Sequence, residues 1–86
     1  MTSRSEIAVR VLLFAGLAER AGVRERRLAE LPAALTIDAL LARLERDYPF
    51  LREVPFTVAR NRALARRDEA LEDGDEVALL PPVSGG

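Results

Sequence analysis

The chain has 86 residues, enough for one domain, and its 49% apolar and 31% charged residues describe a soluble globular protein. Thirteen basic against 14 acidic side chains leave a net charge of −1, so no basic face dominates and nucleic acid is not an expected partner. The absence of Cys and His removes thiol nucleophiles, disulfides, zinc fingers and histidine general bases.

Ile7 to Phe14 alternates in the manner of a strand, with Ile7, Val9, Val11 and Leu13 on one face and Ala8, Arg10, Leu12 and Phe14 on the other. Leu17 to Ala21 reads as a short helical turn stopped by Gly22. Arg26 to Leu31 reads as a second strand, Leu28 alternating with charges, and Pro32 ends it. Thr36 is a suitable N-cap, with Asp38 in the first turn of the helix that follows. Along that helix Ile37, Leu40, Leu41, Leu44 and Tyr48 recur at helical period as one core-facing stripe, and Pro49 stops it. Phe50 to Val54 is a loop or turn. Phe56 to Arg60 is a third strand, Asn61 turns the chain, and Leu64 sits on a short strand. Glu72-Asp73-Gly74-Asp75 marks a turn; its carboxylates lack calcium-loop spacing. Glu76 to Leu80 is the last strand. One main helix covering one face of a mixed sheet of four to five strands is an α+β solution for a small domain.

Residues 1–80 are the expected domain and 81–86 a flexible tail, Pro81-Pro82-Val83-Ser84-Gly85-Gly86. The prolines fix φ and hold the tail away from the body. The glycines lack Cβ atoms, so their backbone can thread a narrow channel. Fully extended, six residues reach about 20 Å, far enough to place a terminal carboxylate in a partner's active site. The polar start Met1 to Glu6 has no apolar signal region, and no apolar run is long enough to span a bilayer, so the expected location is cytoplasmic, with no membrane partner.

Three stretches carry a resemblance: Val11-Leu12-Leu13-Phe14-Ala15 with Leu17-Ala18-Glu19; Val58-Ala59-Arg60-Asn61; and Leu71 to Gly86, with its aspartate-glycine turn, apolar strand, Pro-Pro-Val-Ser and Gly-Gly. The similarity covers almost the whole chain apart from the first few residues. The sequence resembles the small subunits of molybdopterin synthase, ubiquitin-like sulfur carriers of the β-grasp fold. The resemblance implies that an E1-like enzyme uses ATP to adenylate Gly86, that a sulfur donor converts it to a thiocarboxylate, and that Gly85 is its companion. It implies a large subunit that receives the tail and passes the sulfur to a cyclic pyranopterin phosphate, in an assembly of two small and two large subunits. No permanently bound cofactor or metal is expected, and no catalytic side chain of the chain's own is identified.

Strand parity places Val77 and Leu79 inward and Leu80 outward, on the same face as Phe14, joined by Leu12 and Leu64. The resemblance makes Phe14, Leu64 and Leu80 the partner interface, since the family uses a hydrophobic patch at the matching positions. Arg66 and Arg67 are assigned no role: they read as a solvated pair, with salt-sensitive association with an acidic partner as the alternative. Three other readings stay open: a thiamine-type sulfur carrier; a protein modifier joined through Gly86 to lysines of its targets; and a plain β-grasp interaction module. The chain has no lysine, so as a modifier it could not polymerise through its own side chains.

Overall fold

The computed structural model describes residues 6–82. The elements run β1 (Glu6–Leu13), α1 (Ala15–Ala21), β2 (Glu25–Pro32), α2 (Ile37–Asp47), a 3₁₀ turn (Pro49–Arg52), β3 (Thr57–Arg60), β4 (Ala63–Leu64) and β5 (Glu76–Leu80). They form one five-stranded sheet in the order β2-β1-β5-β3-β4. β1 and β5 pair in parallel and every other neighbour is antiparallel. This is the β-grasp arrangement expected from the sequence. Its last strand lies at the centre of the sheet, between β1 and β3.

The core is built by the predicted periodicities. Val9, Val11 and Leu13 of β1, with Val77 and Leu79 of β5, meet Ile37, Leu40, Leu41 and Leu44 of α2, all at most 3% exposed. The first three amides of α2, which have no acceptor within the helix, all find one, and the fourth opens the regular helical ladder. Ile37 N donates to Glu69 O at 3.0 Å, Asp38 N to Arg67 O at 2.8 Å, Ala39 N to the Thr36 hydroxyl at 3.1 Å, and Leu40 N to Thr36 O at 2.9 Å. The segment after β4 therefore serves as the helix cap. Leu71, 1% exposed, pins that segment to the core. At the other end of α1, Gly22 takes φ 80° and donates its amide to Ala18 O, closing the helix in a left-handed turn.

β2 departs from plain alternation. Ile7 pairs with Leu31 but Val9 with Leu28, so β2 carries one extra residue. Glu30 absorbs it with φ 59°. This bulge brings Leu28 and Leu31, of opposite parity, onto the same covered face, and Leu31 is buried at 2% exposure. Arg66 pairs with Asp68 at 3.2 Å, and Arg67 pairs with Asp38 at 3.6 Å while its guanidinium stacks over Phe56. These two arginines therefore serve the local chain path.

Candidate functional site

One face of the sheet is covered by α2; the other carries no element of the described residues, and its pairing register lays out a row of apolar side chains. Leu12 pairs with Ala78, Ala78 with Ala59, and Ala59 with Leu64, crossing β1, β5, β3 and β4 in one line. A second row beside it holds Phe14, whose amide donates to Leu79 O, and the Leu80–Thr57 pair. On the other flank Arg10 bridges Glu25 at 3.3 Å and Glu76 at 3.2 Å, a polar border across β2, β1 and β5.

The two alanines are small and the residues around them are large. The result is an open hollow of about 480 Å³ with Ala59 and Ala78 at its floor and Leu12, Phe14, Leu64 and Leu80 around it. Phe14 is 43% exposed and Leu64 79% exposed; they are the large apolar side chains left in solvent among the described residues. An exposed apolar patch with a polar border is the usual form of a docking surface. The sequence-predicted residues Phe14, Leu64 and Leu80 come together here. The floor residues Ala59 and Ala78 were not singled out beforehand, though their strand parity already put them on this face.

Local geometry explains why each rim residue stands where it does. Ala15 takes φ 52°, which breaks β1 after Leu13 and holds Phe14, extended at φ −117°, at the top of the sheet. Leu64 is carried by the β3–β4 hairpin. Its two-residue loop, Asn61-Arg62, has φ 51° and 71°, both positive as a type I′ turn requires. Asn61 suits that conformation, whereas Arg62 adopts it against its preference.

The hairpin is tied to the foot of β5 by a partly buried polar cluster. The Asn61 amide donates to Asp75 at 3.0 Å, and the Asn61 side-chain carbonyl accepts from Glu76 N at 2.9 Å. Arg60 Nε donates to the same Asp75 carboxylate at 2.8 Å, as does Glu72 N. Asp75 is the buried charged residue of the described chain, at 7% exposure. Burial alone would raise its pKa. The Asn61 amide, the Glu72 N–H and the Arg60 guanidinium outweigh that and hold the carboxyl below its ordinary value. Gly74, at φ 89°, makes the turn that delivers Asp75, and its amide donates to Ala8 O at 2.7 Å.

The tail leaves from β5 at the edge of this hollow. Pro81 and Pro82 are exposed beyond the strand end. Pro81 borders an open recess with Leu17, Glu19 and Arg20 of α1 and with Val54 and Pro55. Val83, Ser84, Gly85 and Gly86, the remaining tail residues singled out from sequence, lie outside the described residues. Among the described residues no cluster of His, Cys, Asp or Glu is placed to hold a metal ion, and no helix is long and apolar enough to cross a membrane. What the site offers is a shaped apolar face, next to the root of the tail, on the sheet's central strand.

The comparisons with known proteins bear on the family and the fold. The model of the ThiS family matches residues 11–86. The molybdopterin synthase sulfur carrier subunit of Chlamydomonas reinhardtii is 43% identical over 82 residues, covering 91% of this chain and 98% of that protein. Small archaeal modifier protein 1 of Haloferax volcanii is 39% identical over 84 residues, covering 86% of this chain and 95% of that protein. A solved complex of subunits 1 and 2 of molybdopterin-converting factor from Helicobacter pylori contains a chain with TM-score 0.65 and 26% identity, covering 93% of this chain and all of that one. With a family match across most of its length and relatives of this identity over nearly all of it, the chain belongs to the ThiS family, among the relatives of molybdopterin synthase sulfur carrier subunits.

Proposed function

We infer that the protein is the sulfur-carrier subunit of a molybdopterin synthase, with the main-chain carboxyl of Gly86 as the atom group that carries sulfur. The observation that carries this reading is the apolar hollow of Phe14, Leu64 and Leu80 at the root of a Gly-Gly tail, in a chain 43% identical to a molybdopterin synthase sulfur carrier subunit. The Helicobacter pylori complex of subunits 1 and 2 supports a large subunit as the partner, and the hollow is the surface offered for its docking.

The chemistry follows from the carboxylate. A carboxylate resists nucleophiles, so an E1-like enzyme first uses ATP: a Gly86 oxygen attacks the α-phosphorus and pyrophosphate leaves. Hydrosulfide delivered by the sulfur donor then attacks the acyl carbon, AMP leaves and the S–H proton is lost, giving the thiocarboxylate. Docking places that soft nucleophile in the large subunit beside the cyclic pyranopterin phosphate. Tethering to a folded body makes the transfer a positioned reaction. Ordering the tail costs about 1–2 kcal/mol of backbone entropy per residue; Pro81 and Pro82 lessen the loss and burial of the hollow offsets it. The small and large subunits are expected to pair two and two, in the cytoplasm.

Reconstitution tests this. The thiocarboxylated chain, mixed with the large subunit and the pterin precursor, is expected to yield molybdopterin, and a chain lacking Gly86 none. Wild-type product formation by the truncated chain would refute the reading. The Haloferax volcanii relative, named a modifier, favours a second activity, in which Gly86 is amide-linked to lysines of other proteins. Gly86-dependent adducts on target proteins, formed with the activating enzyme and ATP, would establish it; their absence would remove it.

A further inference from the structure

A second groove lies on the covered side of the molecule, away from the hollow, between edge strand β2 and helix α2. Its volume is about 330 Å³, and the side chains of Arg26, Arg43, Arg46 and Asp47 line it above Leu28. Arg26 is held in place: its Nη1 donates to Asp47 at 3.0 Å and to the Tyr48 hydroxyl at 3.1 Å. Both bonds use one nitrogen, so the Nη2 and Nε donors stay available. Arg43 and Arg46 sit one helical turn apart and are exposed, and among the described residues neither is ion-paired. The carboxylates next to them on α2 are already taken, Asp47 by Arg26 and Glu45 by Arg52.

The rest of the described chain does not neutralise this groove. No arginine follows Arg67, while Asp68, Glu69, Glu72, Asp73, Asp75 and Glu76 all do. That acidic run caps the start of α2 and joins the Ala8 end of β1, whereas the groove lies at the end of α2 beside Arg26. A chain of net charge −1 thus keeps an unbalanced positive site.

We propose that this groove binds an extended acidic segment of a partner protein, laid alongside β2. Three observations select that occupant. Arg26, Arg43 and Arg46 are spread over a strand and two turns of helix, so a small anion meets one or two of them while an extended segment meets all three. Among the described residues β2 pairs with β1 alone, which leaves its outer backbone groups open to a further strand as far as the bulge at Glu30. The floor is apolar at Leu28, which is half-buried and suited to an apolar side chain of such a segment. Guanidinium groups meet carboxylates in a bidentate fork, the geometry that favours Arg here. The groove and the hollow lie on opposite faces of the sheet, so both can be occupied at once.

The test is an NMR titration of the isotope-labelled full chain. Three probes are compared: the acetylated, amidated peptide Glu-Leu-Glu-Val-Glu, its Gln-Leu-Gln-Val-Gln counterpart, and inorganic phosphate. The acidic peptide is expected to give saturable shifts at the amides of residues 26–29 and 43–47. Binding is expected to weaken at least about fivefold with the Gln peptide, with Arg43→Gln/Arg46→Gln, or on raising salt from about 20 to 200 mM. The double variant alters only exposed side chains, and its unchanged spectrum elsewhere reports that the fold is kept. Shifts confined to other residues, equal affinity for the Gln peptide, equal affinity for phosphate, or no saturable shift would each overturn the proposal.

Discussion

The two faces of the sheet are made from the same strands but solve opposite problems. On the covered face Val11, Val77 and Leu79 are wholly buried against α2. On the open face their immediate neighbours Leu12, Ala78 and Leu80 form a hollow, and Leu64 stands 79% exposed. One residue of shift along a strand changes the task from holding the fold to meeting a partner. The difference teaches that apolar content alone does not mark the core: parity and register separate the residues that stabilise from those that recognise.

The comparison breaks most visibly if the faces are swapped by mutation. Leu79→Ala on the covered face is expected to cost about 2–5 kcal/mol, read as a drop in the urea midpoint. Leu80→Ala, its neighbour, is expected to cost about 1 kcal/mol or less. Equal losses would erase the distinction. On the open face, Leu64→Arg is expected to change stability by less than about 0.5 kcal/mol yet weaken large-subunit binding at least about tenfold, measured by calorimetry. Retained binding would remove Leu64 from the interface.

The polar cluster under the hairpin sharpens the comparison, because it fixes the rim without adding to the core. Asp75→Ala is expected to cost about 1–3 kcal/mol by leaving the Asn61 and Arg60 donors unmatched. The pH dependence has a definite sign. The Asp75 carboxyl is depressed in the folded state. Its stabilisation is therefore complete above the ordinary aspartate pKa of about 4 and is lost as pH falls through the folded value. Asp75→Asn should flatten the acid limb of a stability–pH curve; an unchanged limb would show that other carboxylates set it. The smallest effect is expected at the turn. Arg62→Gly relieves a φ of 71° and should change stability by no more than about 1 kcal/mol, in the stabilising direction.

Much of this was legible before the fold was known. The stripe of Ile37, Leu40, Leu41 and Leu44 and the alternation of β1 each repeat a period often enough to declare a face. Phe14 and Leu80 followed from parity alone. Other features had no local signal. The bulge at Glu30 uses a residue that rarely announces a left-handed turn, so Leu28 and Leu31 looked out of phase. Leu71 is one apolar residue amid charges, and its burial depends on the segment crossing the start of α2. The Arg26 groove joins residues some twenty positions apart, and only the packing of α2 on β2 brings them together.

The central claim is that the working group is the last carbonyl of the main chain and that the folded body only delivers it. The most direct measurement is the intact mass of the chain after incubation with an E1-like activating enzyme, ATP and a sulfur source. The expected result is a gain equal to one oxygen exchanged for sulfur, localised to Gly86 by fragmentation. An unchanged mass, or sulfur anywhere else in the chain, would contradict it.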